Sequence, residues 1–343
     1  MSASLANEAK IGTFPNIGSP RGLKEVALLS NKPLQEENGR LPSSPRSKID
    51  AVVPLLSRDL DRFEVMAHSI TANFRDLGTC WVVGLDGERT EIEPRIRQFP
   101  SFQFAGESEV VPELAAYRRL PRRYSRRITG WYVQQLIKLA IASRIATKHY
   151  LTLDADVICV RTVSFQDLVL NGKALVKATE DDIHPEWYAN TAKVLGYPRP
   201  STRTHGVTPA LFDTEAVLKL QDFLAQRVCP PLRAAACIFG NGYSADVLAG
   251  WRAFLIRAIP WTEYSLYHGF LEGHGLAAKF HDYRRGALYD SEKSFWTPEE
   301  LEGWLAQDLS DLAEDSYFII AQSNTGVSPA VILRKVAPLI GYE

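Results

Sequence analysis

The sequence predicts an α/β fold whose mixed, mostly parallel sheet is flanked by helices. Two observations carry this prediction. The apolar run Ile49–Pro54 precedes a helical pattern and a second apolar run, Trp81–Gly84, and this strand–helix–strand order is typical of a parallel sheet with helices on its faces. Further along, an amphipathic segment from Gly130 to Ala146 leads into the apolar run Tyr150–Leu153, which predicts another helix and another buried strand.

The first helix and the one before Tyr150 are predicted from residues that recur at 3.6-residue spacing. In the first helix these residues are Leu60, Phe63, Met66, Ala67 and Ile70. In the second they are Val133, Leu136, Ile137, Ala140, Ile141 and Ile145. Three polar residues of the second helix, Gln134, Gln135 and Lys138, fall outside its apolar face. We therefore expect these polar side chains to point away from the apolar core that the rest of the helix contacts.

Three later elements are predicted from shorter signals. Residues Ala174–Ala178 and Tyr317–Ala321 are apolar and β-prone, and we expect a strand at each. Thr297 is followed by Pro298 and, three positions on, by Glu300, a pattern that predicts a helix capped by the threonine side chain in a capping box.

Composition narrows the class of protein. The chain has 343 residues, of which 45% are hydrophobic and 23% charged, the balance of a soluble globular enzyme. Its net charge of −1 provides no general attraction for nucleic acid, so we expect no nucleic-acid partner. The basic run from Tyr117 to Arg127 is a local exception that could contact phosphate groups, although such runs are more often only solvated.

Residues 1–47 are rich in Ser, Pro, Asn and Lys, which predicts a poorly ordered N-terminal tail. The four cysteines, Cys80, Cys159, Cys229 and Cys237, show no C-x-x-C spacing, and this favours a reducing compartment. No apolar stretch approaches the roughly 20 residues that cross a bilayer. We therefore expect a cytoplasmic protein, and peripheral membrane association is compatible with the sequence.

Two carboxylates follow the predicted strand Tyr150–Leu153. Asp154 and Asp156 are two residues apart, so in an extended chain both side chains can point to the same side. Hard oxygen ligands suit Mg²⁺ or Mn²⁺, and either ion can bridge the two phosphates of a nucleotide-sugar. Ligands of open α/β sheets bind beyond the carboxyl ends of the strands. The pair therefore predicts a divalent-metal site with solvent-facing carboxylates.

Several stretches together resemble a bacterial group of GT-A-type (Rossmann-like) glycosyltransferase-like proteins of unknown function. After the two opening strands come GWYVQQLIKLAIA, YLTLDADVICV, THGVTPALF, WTEYSLYHGFLE and FIIAQSNTG, so the resemblance spans about residues 48–340. It implies one catalytic domain, 48–343, with a nucleotide-binding half, 48–160, and an acceptor half, 161–343. It also implies a nucleotide-sugar donor and a glycan or small hydroxyl acceptor, for example in surface-polysaccharide synthesis.

The resemblance implies roles for particular residues. Asp154 would contact ribose and metal, and Asp156 would be the main metal ligand. Lys138, with Gln134 or Gln135, would contact the donor, although packing and a solvated helix face explain the glutamines equally well. Enzymes of this type often recruit a late third ligand, and the candidates at the end of the chain are His268, His274 and His281. Which of them binds, if any, stays open.

Glu263 is the candidate general base. Thr262 can cap a following helix, which puts Glu263 in its first turn, where the helix dipole favours an ionised carboxylate. An ionised carboxylate can accept a proton from an acceptor hydroxyl, and inverting transfer needs such a base. Alternatively, Glu263 only caps the helix or positions the acceptor. The rival acidic residues are Glu180, Asp181, Asp182 and Asp246.

Two other functions compete. A phosphohydrolase of the haloacid dehalogenase type also places Asp-x-Asp after an apolar strand, with Asp154 as the nucleophile. That motif usually lies near the start of its domain, whereas here about 100 residues of α/β pattern precede it. A non-catalytic glycan-binding protein would instead stack sugars on aromatic side chains, here Trp187, Tyr188, Trp251, Trp261 and Trp296.

Overall fold

Five strands, four from the N-terminal half of the chain and one from the C-terminal half, form the sheet that positions the candidate site. The computed structural model describes residues 47–118, 130–180, 182–228, 250–258, 260–283 and 288–342. Several features named above lie outside these residues: the tail up to residue 46, the basic run from residue 119, and Asp181, Cys229, Cys237 and Asp246.

The elements are numbered here in chain order. The strands are β1 (Ile49–Pro54), β2 (Leu77–Gly84), β3 (Phe102–Gly106), β4 (His149–Thr152), β5 (Val157–Cys159), β6 (Val169–Leu170), β7 (Lys173–Leu175), β8 (Ala178–Thr179), β9 (Thr204–His205), β10 (Ala210–Asp213), β11 (His281–Asp282), β12 (Leu288–Tyr289) and β13 (Ser316–Ile320). The α-helices are α1 (Leu60–Asn73), α2 (Arg89–Ile96), α3 (Glu107–Val110), α4 (Glu113–Arg118), α5 (Gly130–Ala140), α6 (Phe165–Leu168), α7 (Pro185–Leu195), α8 (Thr214–Gln226), α9 (Trp251–Arg257), α10 (Glu263–Gly273), α11 (Ala277–Phe280), α12 (Leu301–Ala306) and α13 (Pro329–Ile340).

The central sheet has the strand order β10-β4-β1-β2-β3. The pairs β1–β2, β1–β4 and β2–β3 are parallel, and only β10 runs antiparallel, at the edge beside β4. The predicted mixed, mostly parallel sheet is therefore confirmed. Because β1 and β4 are parallel neighbours, the residues that follow β4 leave the sheet at its carboxyl edge.

Helices cover both faces of this sheet. Along β1, Val52 packs into a cluster with apolar residues of α5, α8, α9 and α10. Its neighbours Ala51 and Val53 pack on the opposite side with residues of α1 and α2. The alternation follows from the period of two in a strand, and both clusters are fully buried at β1. In the part of the chain described, no helix is long and apolar enough to cross a bilayer.

The C-terminal part returns to the strand that follows β4. Strand β13 pairs antiparallel with β5 and parallel with β12, and helix α13 contributes Ile332, Val336 and Ile340 to a third apolar cluster. The register joins Ile320 to Val157. Residues 321–327 therefore emerge directly beside Asp156.

Most sequence-predicted elements occur where expected. Strand β1 has the predicted bounds, helix α1 contains every residue of its predicted apolar face, and β13 covers Tyr317–Ile320 of the predicted late strand. Thr262 caps α10 as predicted, because its Oγ1 accepts a hydrogen bond of 3.2 Å from the N–H of Ser265.

Two predictions about element boundaries were wrong. Helix α5 ends at Ala140 rather than Ala146, and a 3₁₀ turn, Ile141–Arg144, follows it. Residues 174–178 form two short strands rather than one, because β7 pairs with β6 and β11 while β8 pairs with β9.

The capping box predicted at Thr297 does not form. The side chain of Thr297 accepts no capping hydrogen bond, and Pro298–Glu300 is a 3₁₀ turn that precedes α12. Glu300 Oε2 instead accepts a hydrogen bond of 2.7 Å from the N–H of Trp296.

A buried aspartate fixes three segments at the start of the sheet. Asp50 is 2% exposed, its Oδ1 accepts from Thr79 N at 2.8 Å, and its Oδ2 accepts from Ala146 N at 2.9 Å. The second bond fixes the chain at Ala146, between the 3₁₀ turn and β4. Gly78 must lack a side chain here, since a Cβ at this position would overlap Asp50 Oδ1.

We predict that Gly78→Ala destabilises the protein by about 1–3 kcal/mol, since the new methyl group displaces a buried carboxylate that holds two backbone N–H groups. Urea denaturation measures the change. Gly303→Ala is the matched control, because a Cβ at Gly303 meets nothing within 4 Å and alanine in a helix stabilises by about 0.5–1 kcal/mol relative to glycine. Equal effects of the two substitutions would contradict the role of Gly78.

Candidate active site at the carboxyl edge of the sheet

Three of the predicted site residues meet around one buried ammonium group. Lys138 Nζ lies 2.9 Å from Asp154 Oδ1 and 3.3 Å from Glu263 Oε1. The side chains of Lys138 and Glu263 are 3% and 5% exposed, whereas that of Asp154 is 35% exposed. Residues from α5, from the end of β4 and from the start of α10 thus form one charged cluster that opens to solvent at Asp154.

The cluster is held together by opposing charges in a buried environment. Burial by itself lowers the pKa of Lys138, but Asp154, Tyr264 and Glu263 together raise that pKa well above the ordinary value for lysine. Burial raises the pKa of Glu263, and Lys138 opposes the rise. Lys138 therefore stays protonated, and its charge is what allows Glu263 to be ionised in a buried position.

Hydroxyl groups complete the surroundings of the ammonium. Lys138 Nζ donates to Thr208 Oγ1 at 2.7 Å. Thr208 Oγ1 lies 2.7 Å from the hydroxyl of Tyr264, which in turn lies 2.9 Å from Thr152 Oγ1. An ammonium has three protons to donate. Thr208 and Glu263 accept hydrogen bonds from it, and Asp154 Oδ1 is its ion-pair partner.

The two glutamines of α5 differ in their surroundings. Gln135 is buried, and its Oε1 accepts from the backbone N–H of Glu263 at 3.1 Å. It therefore fixes the first residue of α10. Gln134 is half-buried, and among the described residues its side chain has no hydrogen-bond partner. Of the two, only Gln134 has a side-chain amide without a partner in the described ranges.

Asp156 lies beside this cluster. The sequence predicts that it faces solvent, but in the structure it is buried. It is 8% exposed, and its Oδ2 accepts from the backbone N–H of Ser323 at 2.9 Å. Burial and the neighbouring charge of Asp154 raise the pKa of Asp156 to about 6, against the opposing effects of Ser323 and Arg62. The expectation of an exposed carboxylate was wrong because the strand pairing of β13 with β5 carries residues 321–327 over Asp156.

Arg62 on helix α1 holds that covering segment. It is 8% exposed, and its guanidinium donates to Ala321 O at 3.1 Å and to Val327 O at 2.8 Å. Sequence reasoning missed both Arg62 and Ser323. An arginine in an amphipathic helix is usually predicted to lie on the solvated face. No sequence signal pairs it with a segment more than 250 positions away.

The other candidates are engaged elsewhere. The His268 ring stacks on His205 with centroids 3.7 Å apart, His281 Nε2 lies 2.9 Å from the hydroxyl of Tyr267, and His274 Nδ1 lies 2.9 Å from Phe270 O. Burial lowers the pKa of His281 to about 3. Within the described ranges, no group of three or more His, Cys, Asp or Glu side chains could hold a metal ion.

The rival acidic residues within the described ranges form ion pairs, and some of the aromatic candidates are buried. Glu180 pairs with Arg203, and Asp182 with Arg199. Tyr188, Trp251 and Trp261 are buried core residues, which removes them as sugar-stacking surfaces, whereas Trp187 and Trp296 are half-buried. A small pocket runs along residues 206–211 beside Thr208, and Lys177, His205 and His268 complete its polar lining.

A family model adds to this geometry. The model of a family of unknown function, DUF6492, matches residues 46–343. The chain belongs to the DUF6492 family. No curated protein matches the sequence. Membership agrees with the resemblance to a group of unknown function, but it assigns no activity, which must be argued from the residues.

Solved structures that resemble this DUF6492 member are glycosyltransferases by name. Mouse xyloside xylosyltransferase 1 is 11% identical, with a TM-score of 0.42 over 82% of this chain and 100% of that chain. Galactosyltransferase LgtC, in complex with donor and acceptor sugar analogs, is 12% identical, with a TM-score of 0.42 over 85% and 95%. Glycosyltransferase GlyE of Streptococcus pneumoniae TIGR4 is 10% identical, with a TM-score of 0.39 over 86% and 62%. Scores of this size do not transfer an activity.

We predict that Lys138→Met destabilises the protein by about 3–5 kcal/mol, because it leaves the buried Glu263 carboxylate without its cation. Combining it with Glu263→Gln should recover part of this loss, since both charges are then removed together. Guanidinium denaturation of the single and double variants measures the coupling. Lys279→Met, which breaks an exposed pair with Glu215, should change stability by less than about 1 kcal/mol. Equal losses for both lysines would exclude the buried cluster.

Proposed function

We propose that this chain is a metal-dependent glycosyltransferase of the GT-A type, which transfers a sugar from a nucleotide-sugar donor to a hydroxyl group of a glycan or another acceptor. The observation that carries the proposal is the cluster of Lys138, Asp154 and Glu263 with Asp156 beside it. These residues come from separate segments and meet at the carboxyl edge of a mostly parallel sheet, where open α/β sheets bind their ligands.

The donor set fits Mg²⁺ or Mn²⁺. Asp154 and Asp156 supply hard carboxylate oxygens. Burial and then the charge of Asp154 raise the pKa of Asp156, and a bound cation would relieve the repulsion between the two carboxylates. Lys138 engages Asp154 Oδ1 and Ser323 engages Asp156 Oδ2. These contacts fix both side chains and leave the second oxygen of each to other partners.

Asp154 and Asp156 would hold the metal, which would supply charge stabilisation for the departing diphosphate. Lys138 orients Asp154 and adds a positive charge behind it. Thr208 and Gln135 fix the ammonium and the first turn of α10. In this scheme, residues 48–160 form the nucleotide-binding half and residues 161–343 the acceptor half.

Glu263 is proposed as the base of an inverting reaction. Its burial raises its pKa, which makes the ionised form a better proton acceptor. Lys138 opposes this rise and favours the ionised carboxylate. Because the side chain is only 5% exposed, the acceptor must reach it from the open side of the cluster, near Asp154.

We predict that Asp156→Asn abolishes metal-dependent nucleotide binding, because the amide keeps the shape of the side chain and loses its charge. Isothermal titration with UDP and GDP, each with and without Mn²⁺, measures it. Asp76→Asn is the control, because this half-buried carboxylate accepts from Phe165 N at 2.9 Å just before β2, away from the carboxyl edge. Unchanged nucleotide affinity in Asp156→Asn would remove the metal assignment.

We predict that Glu263→Gln lowers turnover by roughly 10²- to 10⁴-fold while donor affinity stays nearly the same, since glutamine cannot accept the proton. Donor hydrolysis by water serves as the assay until an acceptor is identified. If Glu263 only positions the acceptor, the Michaelis constant of the acceptor rises instead and the maximal rate persists. Full activity in Glu263→Gln would exclude Glu263 as the base.

A further inference from the structure

Aromatic rings form a continuous surface at the N-terminal ends of α5 and α7. Trp131 on α5 is 46% exposed, and Trp187 on α7 is half-buried. Their ring centroids are 6.1 Å apart, with the ring planes tilted by 47°. His184, which precedes α7, stacks on Trp187 at 4.1 Å and 17°. We call these three residues the aromatic platform.

The platform is held rigidly from both sides. Trp131 packs against Tyr132 with centroids 4.9 Å apart, and Tyr132 packs against the buried Trp261 at 6.3 Å. His184 has a left-handed backbone with φ of 58°, a conformation that costs a non-glycine residue free energy and tends to occur at ligand-contacting positions. Its carbonyl accepts from Trp187 N at 3.0 Å. Rigid aromatic rings lose little conformational entropy when a ligand binds.

Helix geometry places the platform in line with the reacting groups. Trp131, Gln135 and Lys138 are separated by four and three residues, so they lie on one face of α5. Seven residues at a rise of 1.5 Å put Trp131 roughly 10 Å from Lys138 along the helix axis. A group on the platform therefore cannot touch the reacting atoms, but a ligand of several units can span both places.

The size and chemistry of the platform favour a small amphipathic ligand. Two tryptophan side chains offer at most about 500 Å², whereas a stable protein interface needs roughly 800 Å² from each partner. Around the rings, Gln134 and Asn190 are half-buried and Glu186 is exposed. Aromatic faces bordered by amides and a carboxylate match a pyranose ring, which has an apolar C–H face and hydroxyl groups at its rim.

We propose that the aromatic platform is an acceptor subsite that stacks a sugar ring of a carbohydrate acceptor, away from its reacting hydroxyl. The proposal rests on the proposed glycosyltransferase function and names its acceptor class. The ring that fits best has equatorial hydroxyls, as in glucose and N-acetylglucosamine, because its faces are then flat and apolar. Trp131 and Trp187 determine acceptor specificity and take no part in the chemical step.

The test measures carbohydrate binding directly, without donor. Cellohexaose and chitohexaose are titrated against the full chain, with saturation-transfer NMR as the readout. We expect at least one of them to bind, and Trp131→Ala and Trp187→Ala to weaken this binding at least tenfold. Trp131→Phe should restore part of it. Tyr342→Ala is the matched control, because Tyr342, just after the end of α13, is 41% exposed and also packs against a histidine, His68 of α1.

The outcomes separate this proposal from the proposed function. Mn²⁺-dependent UDP or GDP binding, measured on the same variants, should be unchanged by both tryptophan substitutions. If neither oligosaccharide binds, or if Trp131→Ala binds as well as the parent chain, the subsite is wrong even when nucleotide binding persists. If the oligosaccharide binds and no nucleotide does, the platform is a sugar-binding site, but the transferase and therefore the acceptor role are wrong. If the parent chain binds phosphatidylglycerol vesicles and no sugar, and the two tryptophan variants no longer bind the vesicles, the platform contacts a membrane and the proposal is overturned.

Discussion

The buried charge of Lys138 is the constraint on which the candidate site depends. An ammonium that is 3% exposed requires negative partners and hydrogen-bond acceptors, since burying it alone would cost several kcal/mol. The fold supplies Asp154, Glu263 and Thr208 from three different segments. The same contacts explain why α5, the end of β4 and the start of α10 have fixed positions relative to one another. The contacts that neutralise the buried ammonium are thus the same contacts that position the carboxylates of the candidate site.

A second set of contacts fastens the C-terminal part of the chain to this edge. Strand β13 pairs with β5, Ser323 N binds Asp156, and Arg62 holds Ala321 and Val327 from the opposite side. Asp156 is thereby kept in place and partly desolvated, and the covering segment becomes one wall of the site. The sequence suggests Asp156 as a simple surface ligand. In the structure its position depends on Arg62 and Ser323, each more than 90 positions away in the chain.

The cluster and the aromatic platform share helix α5. One helix carries Lys138 at its C-terminal end, Gln135 in the middle and Trp131 at its start. Gln135 joins this helix to α10 through the N–H of Glu263, so a shift of α5 would move the charged residues and the exposed ring together. Under the proposed function, reaction and acceptor selection would be coupled through a rigid element, which is how precise sites are usually supported.

The sequence by itself determined the fold class, the strands β1, β2, β4 and β13 and the helices α1, α5 and α10, and it suggested the residue types of the site. Periodicity reports which face of an element is apolar, and the position of Asp154 after an apolar strand is a local property. Only the tertiary structure decided which polar residues meet. The split of residues 174–178 follows from partners distant in sequence, namely the strands β9 and β11. The burial of Asp156, the role of Arg62 and the pairing of Trp131 with Trp187 depend likewise on strand pairing and helix packing, and a pattern along one chain carries no information about these long-range contacts.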